Sequence, residues 1–120
     1  MFARLFRRTP SGGNIADALY GAIVAQARLP AFYRDLGVPD TVEGRFEMVV
    51  AHTALLTRRL MRKGGEGEAE TGQAVFDVFC REMDRAMREM GVGDLAVPRK
   101  MRKVGQAFYG RSAAYDSALD

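Results

Sequence analysis

Apolar residues recur at intervals of three and four along most of this chain, and no segment alternates with the period of two that is typical of a β-strand. The clearest case is the segment 41–63, where residues 42, 46, 49, 53, 56 and 60 fall along one side of a helix. Such a helix is stable only when other helices cover its apolar side. The pattern therefore predicts an all-α fold, a single compact domain of five to six helices.

Capping residues and glycines predict where these helices begin and end. Asn14 and Thr41 are typical N-cap residues, and Gly110 is expected to break a helix. Residues 64–70, which are rich in glycine and glutamate, are expected to form an exposed linker. The predicted elements are a helix over 14–28, a short turn over 30–36 that ends at Gly37, a helix over 41–63, a helix over 71–90 followed by Gly91, a helix opened by Asp94 and Pro98 that ends near 109, and a last helix from Ser112.

Composition excludes several classes of function. The chain has 120 residues, which suggests one domain, and no run approaches the about 18 apolar residues of a membrane-spanning helix. Its single cysteine, Cys80, and single histidine, His52, exclude a disulfide framework and the multi-cysteine and paired-histidine metal sites. Both are expected to be structural. We therefore predict no catalytic, cofactor-binding or metal-binding residues, no small-molecule substrate and no enzymatic activity.

The net charge of the chain comes from its first 13 residues. The 18 Lys and Arg exceed the 15 Asp and Glu by three, and three arginines precede the first acidic residue. Residues 1–13 are interpreted as a basic amphipathic segment that precedes a helical domain over 14–120. The segment either docks on the domain as a short or frayed helix or anchors the protein reversibly at a membrane interface. The residues predicted to touch the membrane are Phe2, Arg4, Leu5, Phe6, Arg7 and Arg8.

Two further basic clusters lie at helix ends. The cluster 58–63 falls at the C-terminal end of its predicted helix, where cations complement the helix dipole, so it needs no ligand. The cluster 99–103 falls in the first turns of its helix, where the dipole disfavours cations, and it covers one face. That face is either simply solvated or docks an acidic partner, RNA phosphates or lipid headgroups. The predicted partner-binding residues are Arg99, Lys100, Arg102, Lys103, Tyr109 and Arg111, with Arg45 and Glu47 as secondary candidates.

Several short blocks of the chain resemble the ubiquinol–cytochrome c chaperone family, and their order and spacing are more specific than any one block. The blocks are 19–28 followed by Pro30, Phe32 and Tyr33; 37–48; 88–94; 97–101; and Phe108-Tyr109-Gly110-Arg111 followed by Tyr115 and Asp116. Together they extend over residues 19–120. The chain is most similar to the bacterial, alphaproteobacterial-type members, which consist of little more than this domain.

The resemblance implies a non-enzymatic, all-α assembly factor for the cytochrome bc1 complex. It implies cytochrome b or another bc1 subunit as the partner, with the ribosome as a further contact; contact with an anionic membrane is expected from residues 1–13. The expected location is the cytoplasm, peripheral on the cytoplasmic face of the inner membrane. An RNA- or ribosome-binding helical module without a bc1-specific client remains the alternative, and a small enzyme using His52 or a glutamate is a third hypothesis.

Overall fold

The computed structural model describes residues 12–119, which form four long helices and one helical turn without any strand. The elements are α1 (Gly12–Ala27), α2 (Pro30–Arg34), α3 (Val42–Lys63), α4 (Glu66–Glu89) and α5 (Val97–Leu119). The prediction of an all-α fold is confirmed. The predicted number of five to six helices is too high, because four helices of the described part carry the fold and α2 is a single turn.

Local signals place several boundaries as predicted. The Thr41 side chain accepts a hydrogen bond from the Gly44 N–H at 3.0 Å and so caps α3. Gly37 follows α2 with φ +78°, and Gly91 follows α4 with φ +91°. Only glycine adopts this left-handed conformation without a steric penalty, so both connections turn where the sequence predicts.

The predicted linker over 64–70 is wrong, because α4 begins at Glu66 and only Gly64 and Gly65 separate it from α3. Glu66 and Glu68 lie in the first turn of α4. Negative charge is favourable at that end of a helix, and glutamate is a good helix former. These two preferences outweigh the glycines of the segment.

The predicted break at Gly110 is also wrong, because α5 continues through it to Leu119. A glycine inside a helix costs about 1 kcal/mol relative to alanine, which tertiary contacts can offset. Arg58 of α3 donates a hydrogen bond to Asp116 at 2.7 Å, and Tyr115 packs against the core. These contacts hold the C-terminal half of α5 in line with its first half. At the other end of the domain, α1 already begins at Gly12, ahead of the predicted cap Asn14.

The core forms around α4, which packs against α1, α3 and α5. Phe79 is fully buried at its centre, and the centroid of its ring lies 5.3 Å from that of Phe108 and 6.4 Å from that of Tyr20. Gly72 lets α4 approach α3 closely, since a Cβ at this position would lie 3.0 Å from Cγ of Met61. No helix within residues 12–119 is both long and apolar enough to cross a lipid bilayer.

Candidate partner-binding site

The first two turns of α5 present four cations on one exposed surface, which we call the basic face: Arg99, Lys100, Arg102 and Lys103. The opposite side of the same helix is buried through Val97, Val104 and Phe108. The charged side-chain groups of these four residues make no hydrogen bond or ion pair with another residue of the described chain. The predicted separation of a dry face and a basic face is therefore what the structure shows.

The position of the basic face gives it a small energetic cost in the folded protein. The first turn of α5 contains no acidic residue. Each cation near a helix N-terminus forgoes about 0.3–1 kcal/mol relative to an anion at that place. The four positive charges therefore do not stabilise the helix that carries them. This cost favours a role in binding over a role in folding.

Tyr109 borders the basic face, as predicted. Its side chain is 64% exposed, and its ring centroid lies 5.8 Å from that of Phe76 and 5.9 Å from that of Phe108. One side of the ring is thus supported by the aromatic cluster of the core. Its hydroxyl has no hydrogen-bond partner among residues 12–119, so it is available to a ligand.

Arg111 is placed differently from the other predicted site residues. Its Nε donates to Oε2 of Glu47 at 2.8 Å, and its Nη2 donates to Oε1 of the same carboxylate. This hydrogen bonding lowers the pKa of Glu47 and raises the pKa of Arg111. Arg111 therefore connects α5 to α3 and is not grouped with the basic face.

The cluster at the end of α3 has a partner that its position in the sequence did not indicate. Arg58 donates from Nε to Asp116 at 2.7 Å, and Arg62 Nη1 lies 3.3 Å from the same oxygen. Besides complementing the helix dipole, these cations hold the end of α5. Arg58 and Arg62 are therefore accounted for within the domain.

The connection before α5 carries two exposed apolar side chains that the sequence analysis missed. Met90 is 69% exposed and Leu95 is 98% exposed. The N–H groups of Ala96 and Val97 both bond to the Gly93 carbonyl, at 2.9 and 3.1 Å, so the connection turns directly into α5. The signal available in the sequence was proximity, because Leu95 is an apolar residue only four positions before Arg99, the first cation of the basic face.

A second group of cations surrounds an open cleft of about 740 Å³ between α2 and the start of α3; of these, Arg45 was a secondary candidate from the sequence, and Arg28 and Arg34 were not predicted. Arg45 pairs with Asp40 at 2.7 Å, whereas the guanidinium groups of Arg28 and Arg34 make no hydrogen bond or ion pair in the described part of the chain. The hydroxyl of Tyr33 donates to the Ala27 carbonyl at 2.8 Å and fixes one wall. Arg28 and Arg34 come from separate turns, so no single helical face indicated them together with Arg45.

His52 and Cys80 have local structural surroundings. Nδ1 of His52 lies 2.7 Å from the Met48 carbonyl, and its ring stands edge-on to Phe32. Cys80 packs against the core, and burial raises the pKa of its thiol. Within residues 12–119, no three metal-ligating side chains come together. The predicted membrane contacts of residues 2–8 lie outside the described part.

Comparison with known proteins agrees with the family resemblance. The family model for the ubiquinol-cytochrome C chaperone matches residues 34–120. Among solved structures, the fold matches the crystal structure of the Cbp3 homolog from Brucella abortus with a TM-score of 0.79 and 40% sequence identity, covering 100% of this chain and 66% of that chain. The protein thus spans just under two thirds of that relative. A comparison with curated proteins finds no match. The chain belongs to the ubiquinol–cytochrome c chaperone family.

Proposed function

We propose that this protein is an assembly chaperone for the cytochrome bc1 complex that binds newly made cytochrome b at the cytoplasmic face of the inner membrane. Membership of the chaperone family and similarity to the Brucella abortus Cbp3 homolog support this function. A chaperone holds and releases another protein, so it requires binding surfaces rather than a catalytic centre.

One observation links the proposed function to particular residues: the cations of the basic face form no ion pairs within the described chain. Four exposed cations on two turns, without an ion pair in the described chain, attract a negatively charged surface. Tyr109 adds an aromatic ring and a hydroxyl at the border of this face. We propose that the face brings the chaperone to the acidic groups that surround its client.

Deletion of the gene in a bacterium that contains a bc1 complex tests the function. Cytochrome b and the assembled complex are measured by haem staining after gel electrophoresis, and a tagged chaperone is tested for co-purification with cytochrome b. The expected result is loss of the complex, restored by the wild-type gene, and recovery of cytochrome b with the tag. A normal complex in the deletion strain would contradict the proposal.

Charge reversal tests the basic face within that experiment. The double variant Arg99→Glu/Arg102→Glu is expected to fold normally, since anions are favoured at a helix N-terminus. The amount of cytochrome b that co-purifies with this variant is expected to be several-fold lower than with the wild type. The matched control is Arg28→Glu/Arg34→Glu, which changes the net charge equally at the cleft beside α2. Normal assembly with the α5 variant would contradict a role for the face.

The alternative function, an RNA- or ribosome-binding module without a bc1 client, makes different predictions. The deletion strain would then assemble bc1 normally. The purified protein would bind RNA with an affinity that falls steeply as salt rises, because each phosphate contact releases counterions. Failure to bind RNA at low salt would exclude this alternative.

A further inference from the structure

We propose that the basic face and the connection before it form a docking surface for an anionic phospholipid bilayer, with Leu95 inserted among the lipids. This inference rests on the proposed function, because it names lipid as the partner of the same face. It concerns the helical domain itself and does not depend on the predicted membrane contact of residues 1–13.

The exposure of Leu95 is the first observation. At 98% it is the most exposed of the large apolar side chains in the described part, and Met90 on the same connection is 69% exposed. An apolar side chain left in water contributes nothing to folding but favours binding when a partner buries it. The protein therefore carries an apolar tip that its own core does not use.

The second observation is that the tip is held in place. The N–H of Val92 bonds to the Met87 carbonyl at 3.0 Å, and that of Ala96 bonds to the Gly93 carbonyl at 2.9 Å. Leu95 is thus presented by a hydrogen-bonded turn. A held tip loses less conformational entropy on insertion than a free segment would.

The third observation is the order of groups along the surface. Leu95 lies four residues before Arg99, in the turn that leads into α5, so the apolar side chain directly precedes the basic face along the chain. An interfacial surface needs this order, with apolar groups reaching below the headgroups and cations level with them.

The charge around the tip is complementary to an anionic leaflet. Residues 95–115 contain no acidic side chain. Asp94, the acidic residue of the connection, pairs with Arg88, which also pairs with Asp84. Over 88–103 the chain holds five basic and two acidic residues. An anionic bilayer attracts such a surface, and the attraction is screened by salt.

Lipid fits this surface better than a protein or RNA partner does. Cytoplasmic loops of membrane proteins carry an excess of lysine and arginine, which would repel the basic face. RNA would use the cations but offers no apolar layer for Leu95 and Met90. Anionic lipids supply both the negative charge and the apolar layer.

Co-sedimentation of the purified full chain with vesicles tests the proposal. The probes are vesicles of phosphatidylcholine alone and of phosphatidylcholine mixed with phosphatidylglycerol. We expect binding to the anionic vesicles that weakens with salt, and much weaker binding to the neutral ones. Leu95→Ser should lower the affinity for anionic vesicles about tenfold, through the loss of the buried side chain. Arg99→Gln/Arg102→Gln should lower it about fivefold per cation.

Matched controls separate the site from general charge and hydrophobicity. Leu36→Ser removes an exposed leucine that is distant from Leu95 in the sequence. Arg28→Gln/Arg34→Gln removes two cations that line the cleft beside α2 and do not belong to the basic face. Both should bind vesicles like the wild type. All variants retain residues 1–13, so any contribution of that segment is constant. Wild-type binding by Leu95→Ser, or competition by RNA that depends on the cations but not on Leu95, would overturn the proposal.

The vesicle experiment and the deletion experiment can fail independently of each other. If vesicles are not bound but the deletion strain still lacks the bc1 complex, the docking inference is wrong and the chaperone proposal stands. If the wild type binds vesicles through Leu95 while the deletion strain assembles bc1 normally, the docking inference stands and the chaperone proposal is wrong.

Discussion

Glu47 of α3 and Arg111 of α5 form a two-pronged ion pair between positions 64 residues apart in the sequence, with Nε of Arg111 2.8 Å from Oε2 of Glu47. The two residues belong to separate blocks of the family resemblance, 37–48 and 108–111. Together with the Arg58–Asp116 hydrogen bond, this pair joins α5, the helix that carries the basic face, to α3.

This pair makes stability depend on pH in the acid range. The pKa of Glu47 in the folded protein is below its ordinary value of 4.5, so the pair stabilises the fold fully above that value. The contribution is lost as pH falls through the lower folded pKa. Glu47→Gln should lower the melting temperature by a few degrees at neutral pH and lose less stability on acidification than the wild type. Thermal unfolding followed by circular dichroism over this range measures both effects, and parallel pH curves would contradict the assignment.

Continuity of α5 through Gly110 predicts that alanine stabilises this position. A Cβ here would meet no atom within 4 Å. Gly110→Ala should therefore raise the free energy of unfolding by about 0.5–1 kcal/mol, measured by urea denaturation. Gly44→Ala provides the contrast, since its Cβ would lie 1.9 Å from the Pro39 carbonyl oxygen, and should cost about 1–3 kcal/mol. A destabilised Gly110→Ala would indicate a break in the helix.

Thr53 contains an unsatisfied hydroxyl in the core. The residue is fully buried, and its Oγ1 has no hydrogen-bond partner in the described chain. Thr53→Val keeps the shape and removes the polar atom, so it should increase the free energy of unfolding by about 1 kcal/mol. The matched control is Thr57→Val, because the Thr57 hydroxyl donates to the Thr53 and Ala54 carbonyls at 2.9 and 3.1 Å. That variant should be no more stable than the wild type; equal effects of both would contradict the prediction.

Cys80 should be a slow nucleophile in the folded protein. Burial, with a smaller effect from Asp77, raises its pKa, so little thiolate is present at neutral pH. Alkylation followed by mass spectrometry should be markedly slower than for the unfolded chain in denaturant. Similar rates in both states would contradict the buried placement.

The sequence alone determined the class of fold and most of its local boundaries. Spacing of three and four requires helices, the cap at Thr41 needs only its neighbouring N–H groups, and the turns at Gly37 and Gly91 need only a positive φ. It also determined the basic face, because the position of four charges on a helix follows from its geometry. Family membership likewise rests on local blocks of sequence.

Only the tertiary structure decided the features that depend on contacts between distant residues. Gly110 lies inside a helix because Arg58 binds Asp116 and Tyr115 packs against the core, neither of which its neighbours reveal. Arg111 forms an ion pair with Glu47, although the sequence placed it with the cations of the basic face as a partner-binding residue. Leu95 is exposed because no other helix covers the turn that presents it. Spacing shows which side chains share a face, but whether a face is covered depends on how the helices pack.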